Sequence, residues 1–83
     1  MNAEYFEQML ETMMSRKPFQ VFTIKLTDGS RFEIDNPRAT VWRDGKAVFM
    51  APGFVPIYFD HEGVSQIIDA PASVARQVGE ESA

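Results

Sequence analysis

The stretch from residue 19 to residue 34, FQVFTIKLTDGSRFEI, alternates between apolar and polar residues on both sides of an Asp-Gly pair. Successive side chains of a strand point to opposite faces, so every second residue shares a face. The apolar residues of one face are Phe22, Ile24 and Leu26 before the turn, and Phe32 and Ile34 after it. Asp28-Gly29 tolerates the positive φ that tight hairpin turns need. The pattern predicts a β-hairpin with one buried face and one polar, solvent-facing side.

A helix is predicted ahead of this hairpin, over residues 2–15. Asn2 belongs to the residue types that cap helices, and acidic residues lie toward the positive end of the helix dipole. Apolar residues recur at spacings of three and four: Phe6, Met9, Leu10, Met13 and Met14. The stripe predicts a helix packed on the sheet, with a Met-rich groove for a partner as the alternative.

Short alternating runs separated by turn signals follow the hairpin, at residues 39–43, 46–51, 55–59 and 64–69. Pro56 lacks an N–H group, which favours an edge strand or a bulge at that point. The predicted fold class is mainly β: an N-terminal helix followed by a strongly bent five-stranded antiparallel sheet or small open barrel. A single domain is expected over residues 1–70, with strands within 19–69. A C-terminal tail is expected over 71–83, with a short helix at 73–78 and a mobile end at 79–83.

Composition excludes several classes of protein. The 83 residues suffice for one domain and contain no cysteine, so disulfide frameworks and thiolate metal sites are impossible. No apolar run approaches the roughly 20 residues of a membrane helix, and the acidic N-terminus is unlike a signal peptide. Cytoplasmic location without membrane attachment is therefore expected. With a net charge of −4 the sequence shows no basic patch of the kind that phosphate binding usually requires.

No catalytic arrangement is visible in the sequence. The one histidine, His61, lies in the turn Asp60-His61-Glu62-Gly63, and nothing nearby completes a catalytic triad or a metal-ligand set. We therefore expect no enzyme activity, no catalytic residues, no metal and no cofactor. His61 itself is expected to be a solvent-exposed turn residue.

Three residues remain as candidates for contact with a ligand or RNA: Trp42, Tyr58 and His61. Trp42 is either packed in the core or a platform for stacking a ring. Tyr58 falls on the opposite strand face from Ile57 and Phe59, so it is expected to be exposed or to contact another subunit.

The order of helix, FTIKLTDGSRFEI (22–34) and IYFDHEGVSQIID (57–69) resembles the Sm-like family, including its bacterial Hfq-like members. The resemblance implies a helix, five bent strands, and rings in which the fourth strand of one subunit pairs with the fifth of the next. It also implies site roles for Tyr58 and His61. The family's basic residue between them is missing here, because Phe59 and Asp60 occupy that place.

A second resemblance is to small uncharacterised bacterial proteins of similar length. It is carried by Lys-Pro-Phe-x-x-Phe at 17–22, Leu-x-Asp-Gly at 26–29 and Ile-Asp at 68–69. This resemblance implies a shared fold and no particular activity.

The functional expectation is a non-enzymatic structural or interaction module that forms homo-oligomers. Strand edges leave N–H and C=O groups unpaired, and 55–59 and 64–69 are the expected edges. A ring of about five to seven subunits, or else a dimer, would cover them. Two alternatives are an RNA-binding Sm/Hfq-like ring, which is not favoured, and a β-barrel that binds a small ligand.

Overall fold

The computed structural model describes residues 1–73. Its elements are helix α1 (Ala3–Met14), β1 (Phe22–Leu26), β2 (Arg31–Ile34), a 3₁₀ turn (Pro37–Ala39), β3 (Thr40–Arg43), β4 (Lys46–Ala51), β5 (Val55–Asp60) and β6 (Val64–Ile68). The mainly β class with one N-terminal helix is confirmed over these residues. Residues 74–78 of the predicted C-terminal helix, and the rest of the tail after them, lie outside the described residues.

The strands form two antiparallel three-stranded sheets, and the predicted single five-stranded sheet is not confirmed. Sheet A has the order β2-β1-β6 and sheet B the order β3-β4-β5, and the two are not closed into a barrel. The division follows from the segment between β2 and β3. Pro37 begins a 3₁₀ turn there, and the Asn36 side chain accepts the N–H of Arg38 at 2.9 Å. A turn of this kind interrupts the extended backbone, so the two sheets are separate.

Helix α1 begins where the sequence predicts. The Asn2 side chain accepts the N–H of Tyr5 at 2.7 Å and caps the helix. Phe6, Leu10 and Met13 are buried, and the remaining methionines of the stripe pack against the core. The predicted packing of the stripe on the sheets is confirmed.

The β1–β2 hairpin forms as predicted, and its register places Phe22 opposite Ile34 and Ile24 opposite Phe32. Gly29 has a φ of +90°, as its place in the turn requires. The face predicted to be polar is only partly exposed to solvent. Thr23 on this face is fully buried, and its hydroxyl donates to the Ala70 carbonyl at 2.8 Å. The chain that follows β6 therefore covers part of this face.

The core lies between the two sheets and under the helix. Phe32 of sheet A meets two rings of sheet B, with centroid distances of 5.1 Å to Phe59 and 6.1 Å to Phe49. Phe6 from α1 meets Phe59 edge-on at 5.9 Å. These aromatic contacts join all three layers into one core.

Candidate functional site: the free edge and outer face of sheet B

The outer face of sheet B is the side turned away from the core, and it carries a row of apolar residues, of which the central one is half-buried and the other two are exposed. Val41, Val48 and Tyr58 lie side by side across the three strands. The side chains of Tyr58 and Val41 are 77% and 64% exposed. Such a cluster on one face typically marks a surface that contacts another molecule.

A charged row follows at the next outward position, where Arg43, Lys46 and Asp60 are neighbours. Lys46 lies between a like charge and an opposite one. Arg43 contacts the carboxylate of Asp44 at 3.7 Å, and both side chains are about nine-tenths exposed. An ion pair this exposed contributes little to stability.

The backbone of β5 presents unpaired groups to solvent. A two-residue turn, with Asp44 at φ +54° and Gly45 at φ +78°, joins β3 to β4, so Arg43 and Lys46 share ladder hydrogen bonds. Alternation then directs the odd residues of β4, 47 to 51, toward β5. The hydrogen bond from the His61 N–H to the Gly45 carbonyl, at 2.8 Å, agrees with this assignment, because both residues are odd-numbered. Residues 56, 58 and 60 of β5 therefore point their backbone groups away from the sheet.

Of the backbone groups at the free edge of β5, one N–H is missing and one carbonyl is already hydrogen-bonded. Pro56 has no N–H, and the Asp60 carbonyl accepts the N–H of Gly63 at 3.1 Å. Tyr58 retains both its N–H and its C=O toward the free edge. Pro56 thus lies on an edge strand, as predicted, and its missing donor faces solvent rather than the ladder.

The other expected edge, β6, presents a similar pair of groups at Ile67. The Leu26 N–H donates to the Ser30 carbonyl at 2.8 Å, so the odd residues of β1 face β6. Ile24 and Ile67 are then directly opposite without hydrogen bonds between them. The N–H and C=O of Ile67 point to the free edge, while its half-buried side chain packs against the core.

A shallow groove of about 500 Å³ runs over the outer face, lined by Val41, Val48 and Tyr58 with Arg43 and Lys46 at one end. Trp42 also borders it, so the structure brings two of the predicted site residues together. Trp42 belongs mainly to the opposite side of the sheet, where it packs against the core and borders a depression beside α1. Of the two predicted roles for Trp42, core packing is therefore the closer description.

His61 does not line this groove, and it is not the exposed turn residue that was expected. Its side chain is 29% exposed. Its Nδ1 lies 2.9 Å from the Met1 carbonyl oxygen, and its ring leaves no room for a side chain at Gly45. His61 thus joins the start of α1 to the β3–β4 turn.

Two further observations concern chemistry. The hydroxyl and the N–H of Ser30 donate to Asp28 at 2.6 and 2.8 Å, which holds the pKa of that carboxyl below its ordinary value. Within residues 1–73 no three acidic or histidine side chains are grouped so as to hold a metal ion.

The sequence analysis did not identify Val41 and Val48 as part of the candidate site. Their runs were predicted as strands, but their faces were not assigned. Counting every second residue in both directions from the turn at Asp44-Gly45 would have placed Val41 on the face of Arg43, and Val48 on the same face with Lys46.

No helix in the described part of the chain has the length and apolar character needed to cross a membrane. Comparison with family models, with curated proteins and with solved structures found no match to this chain.

Proposed function

We propose that the chain is a non-enzymatic structural or interaction module that assembles with copies of itself by pairing β5 of one copy with β6 of the next. Tyr58 carries the proposal. Its side chain is 77% exposed, and its N–H and C=O point away from the sheet. An apolar residue with both features on an edge strand favours pairing with another chain.

The strand order supports an Sm-like fold. If β2 and β3 are the two halves of one bent strand interrupted at Pro37–Ala39, the six strands reduce to five. The order then becomes β6-β1-β2/β3-β4-β5, with β5 and β6 at the two ends. Those are the two strands that pair between subunits in Sm-like rings.

The two edges are compatible in their hydrogen-bonding pattern. Tyr58 and Ile67 each offer an outward N–H and C=O, and we propose the antiparallel register in which they are a directly opposed, hydrogen-bonded pair. Directly opposite residues project their side chains to the same face of a sheet. The Tyr58 ring therefore lies over Ile67 of the next copy, and the body of that copy covers the outer face that carries Val41 and Val48.

Repetition of this contact would close a ring, because a ring leaves neither edge exposed. The Sm-like resemblance implies about five to seven subunits for such a ring. A dimer is the simpler alternative. The absence of cysteine favours a reducing compartment, and we propose the cytoplasm.

Light scattering after gel filtration tests the proposal. The unmodified chain is expected to elute as an oligomer, and Ile67→Pro is expected to yield a monomer. This substitution removes one outward N–H without removing a hydrogen bond of sheet A. Arg31→Pro is the matched control, since Arg31 also points its N–H outward, from the other edge of sheet A. A stable monomer before mutation, or an oligomer unaffected by Ile67→Pro, contradicts the proposal.

An RNA-binding ring is the second candidate, because Arg43 and Lys46 lie beside Tyr58 in one groove. Basic and aromatic side chains together bind single-stranded nucleic acid. Titration with labelled oligo-U and oligo-A at low salt distinguishes the two functions. Binding that weakens with added salt supports the RNA-binding ring, and no binding at low salt excludes it.

A further inference from the structure

Phe54, at the tip of the β4–β5 hairpin, combines two unfavourable features. Its φ is +62°, in the left-handed region that bulky side chains rarely adopt. Its side chain is 88% exposed, more than that of any other large apolar residue described. A phenylalanine in this position costs stability in two ways, and an 88% exposed ring has little contact with residues 1–73 to compensate for either.

The β1–β2 hairpin shows how this chain builds a similar turn without strain. Each hairpin loop has three residues. In β1–β2 they are 27–29, between the hydrogen-bonded Leu26 and Ser30, and in β4–β5 they are 52–54, between the paired Ala51 and Val55. The third residue has a positive φ in both, and in β1–β2 that residue is Gly29; the β4–β5 loop differs in having a second positive φ, at Gly53. Glycine or asparagine at position 54 would satisfy the backbone at lower cost. The aromatic ring therefore points to a contact beyond residues 1–73.

A fixed surface lies just beyond the end of β6. The chain bends there, because the Ala70 N–H donates to the Ile68 carbonyl at 2.8 Å. Three side chains from separate parts of the chain hold the bend: Arg16 contacts Asp69 at 2.6 Å, Thr23 donates to the Ala70 carbonyl at 2.8 Å, and Glu33 accepts the Ala72 N–H at 2.8 Å. Pro71 is exposed in the middle of this held segment.

We propose that Phe54 is the aromatic anchor of self-association and seats on residues 69–72 of the next copy. The inference rests on the proposed pairing of β5 with β6. With Tyr58 opposite Ile67, position 56 falls opposite position 69 of the next copy, where β6 has ended. The hairpin tip then overhangs the bend, and Phe54 reaches the apolar surface of Pro71. Buried aromatic anchors of this kind dominate the energetics of many interfaces.

Substitution at position 54 tests the anchor, with two readouts that change in opposite directions. Phe54→Asn is expected to weaken association at least about tenfold, as loss of an interface anchor does. In an Ile67→Pro background, where the chain is monomeric, the same substitution is expected to raise the melting temperature by about 4 °C, because asparagine tolerates a positive φ. Phe54→Trp is expected to keep the association.

Asp44→Gly is the matched control. Asp44 also has a positive φ, at the tip of the β3–β4 hairpin, and its side chain is exposed. Its replacement is expected to leave association unchanged. If Asp44→Gly weakens association as much as Phe54→Asn does, the anchor is overturned, because any change at a hairpin tip would then have the same effect.

The two proposals fail separately. Association that is lost in Ile67→Pro but unchanged in Phe54→Asn overturns the anchor and leaves the edge pairing intact. A cysteine pair locates the contact directly, since the chain has no cysteine of its own. Phe54→Cys with Pro71→Cys is expected to give interchain products with a short bifunctional maleimide. If this pair gives none while Tyr58→Cys with Ile67→Cys forms an interchain disulfide, the placement on residues 69–72 is wrong.

Discussion

Gly45→Ala is predicted to be among the most destabilising single-methyl changes in this protein. Gly45 is buried in the β3–β4 turn, where its carbonyl accepts the His61 N–H and its N–H donates to the Glu7 carboxylate at 2.7 Å. A Cβ there would lie 2.7 Å from His61 Cδ2 and 3.1 Å from the Ala3 Cβ. The turn therefore has no space for even the smallest side chain.

The expected cost has two parts. A left-handed φ costs an L-residue about 1–2 kcal/mol. Overpacking against His61 and Ala3 adds about 1–3 kcal/mol, because the ring is held by its contact to the Met1 carbonyl and cannot move freely. We expect a total of about 2–5 kcal/mol, a large share of the stability of a small domain.

Denaturant unfolding measures this cost, and Gly53→Ala is the matched control. Gly53 has a φ of +83°, but a methyl group added there would have no described atom within 4 Å, so its replacement carries only the backbone part. His61→Ala removes the closest clashing group. The cost of Gly45→Ala is expected to fall by about 1 kcal/mol or more in that background. If Gly45→Ala costs no more than Gly53→Ala, the packing of α1 on this turn is not as described.

Two further predictions concern carboxylates. Glu7→Gln is expected to lower the free energy of unfolding by about 1 kcal/mol, because the amide makes a weaker hydrogen bond to the Gly45 N–H than the carboxylate does. The control is Glu11→Gln at an exposed position, which should have little effect in the same denaturant assay. The pKa of Asp28 is depressed in the folded chain by the Ser30 hydroxyl first and the Ser30 N–H second, so its contribution to stability is present above the unfolded-state pKa and is lost as pH falls through the folded-state pKa. Ser30→Ala is expected to raise the pKa of Asp28 toward its ordinary value in an NMR titration of the carboxyl carbon; an unchanged pKa would show that the hydroxyl is not its main cause.

The sequence was most informative where local patterns alone determine structure. Alternation through Phe22 and Ile24 with the turn at Asp28-Gly29 is a local property, and the hairpin formed as predicted. The cap at Asn2 and the stripe through Leu10 are local in the same sense. These features depend on neighbours in the chain rather than on distant contacts.

Features that depend on distant contacts were not predicted. Burial of Thr23 depends on Ala70, which is 47 positions later. The half-buried place of His61 depends on Met1, which is 60 positions earlier and just precedes α1. No periodicity or motif encodes such pairs. The candidate site is intermediate between these two cases. Alternation identified Tyr58, but the outward direction of its backbone groups followed only from the hydrogen bonding of β4 with its two neighbours in the structure.

Disulfide trapping between Tyr58→Cys and Ile67→Cys is the most direct test of the proposed edge pairing. Directly opposite residues of a hydrogen-bonded pair have Cα atoms about 5.5 Å apart, which a disulfide spans. Val48→Cys with Ile67→Cys is the control, because Val48 lies on the central strand of sheet B and cannot pair with another chain. Edge pairing predicts interchain disulfides and a ladder of linked subunits under non-reducing conditions for the first pair alone. Monomeric chains in both variants, or equal cross-linking in both, would contradict it.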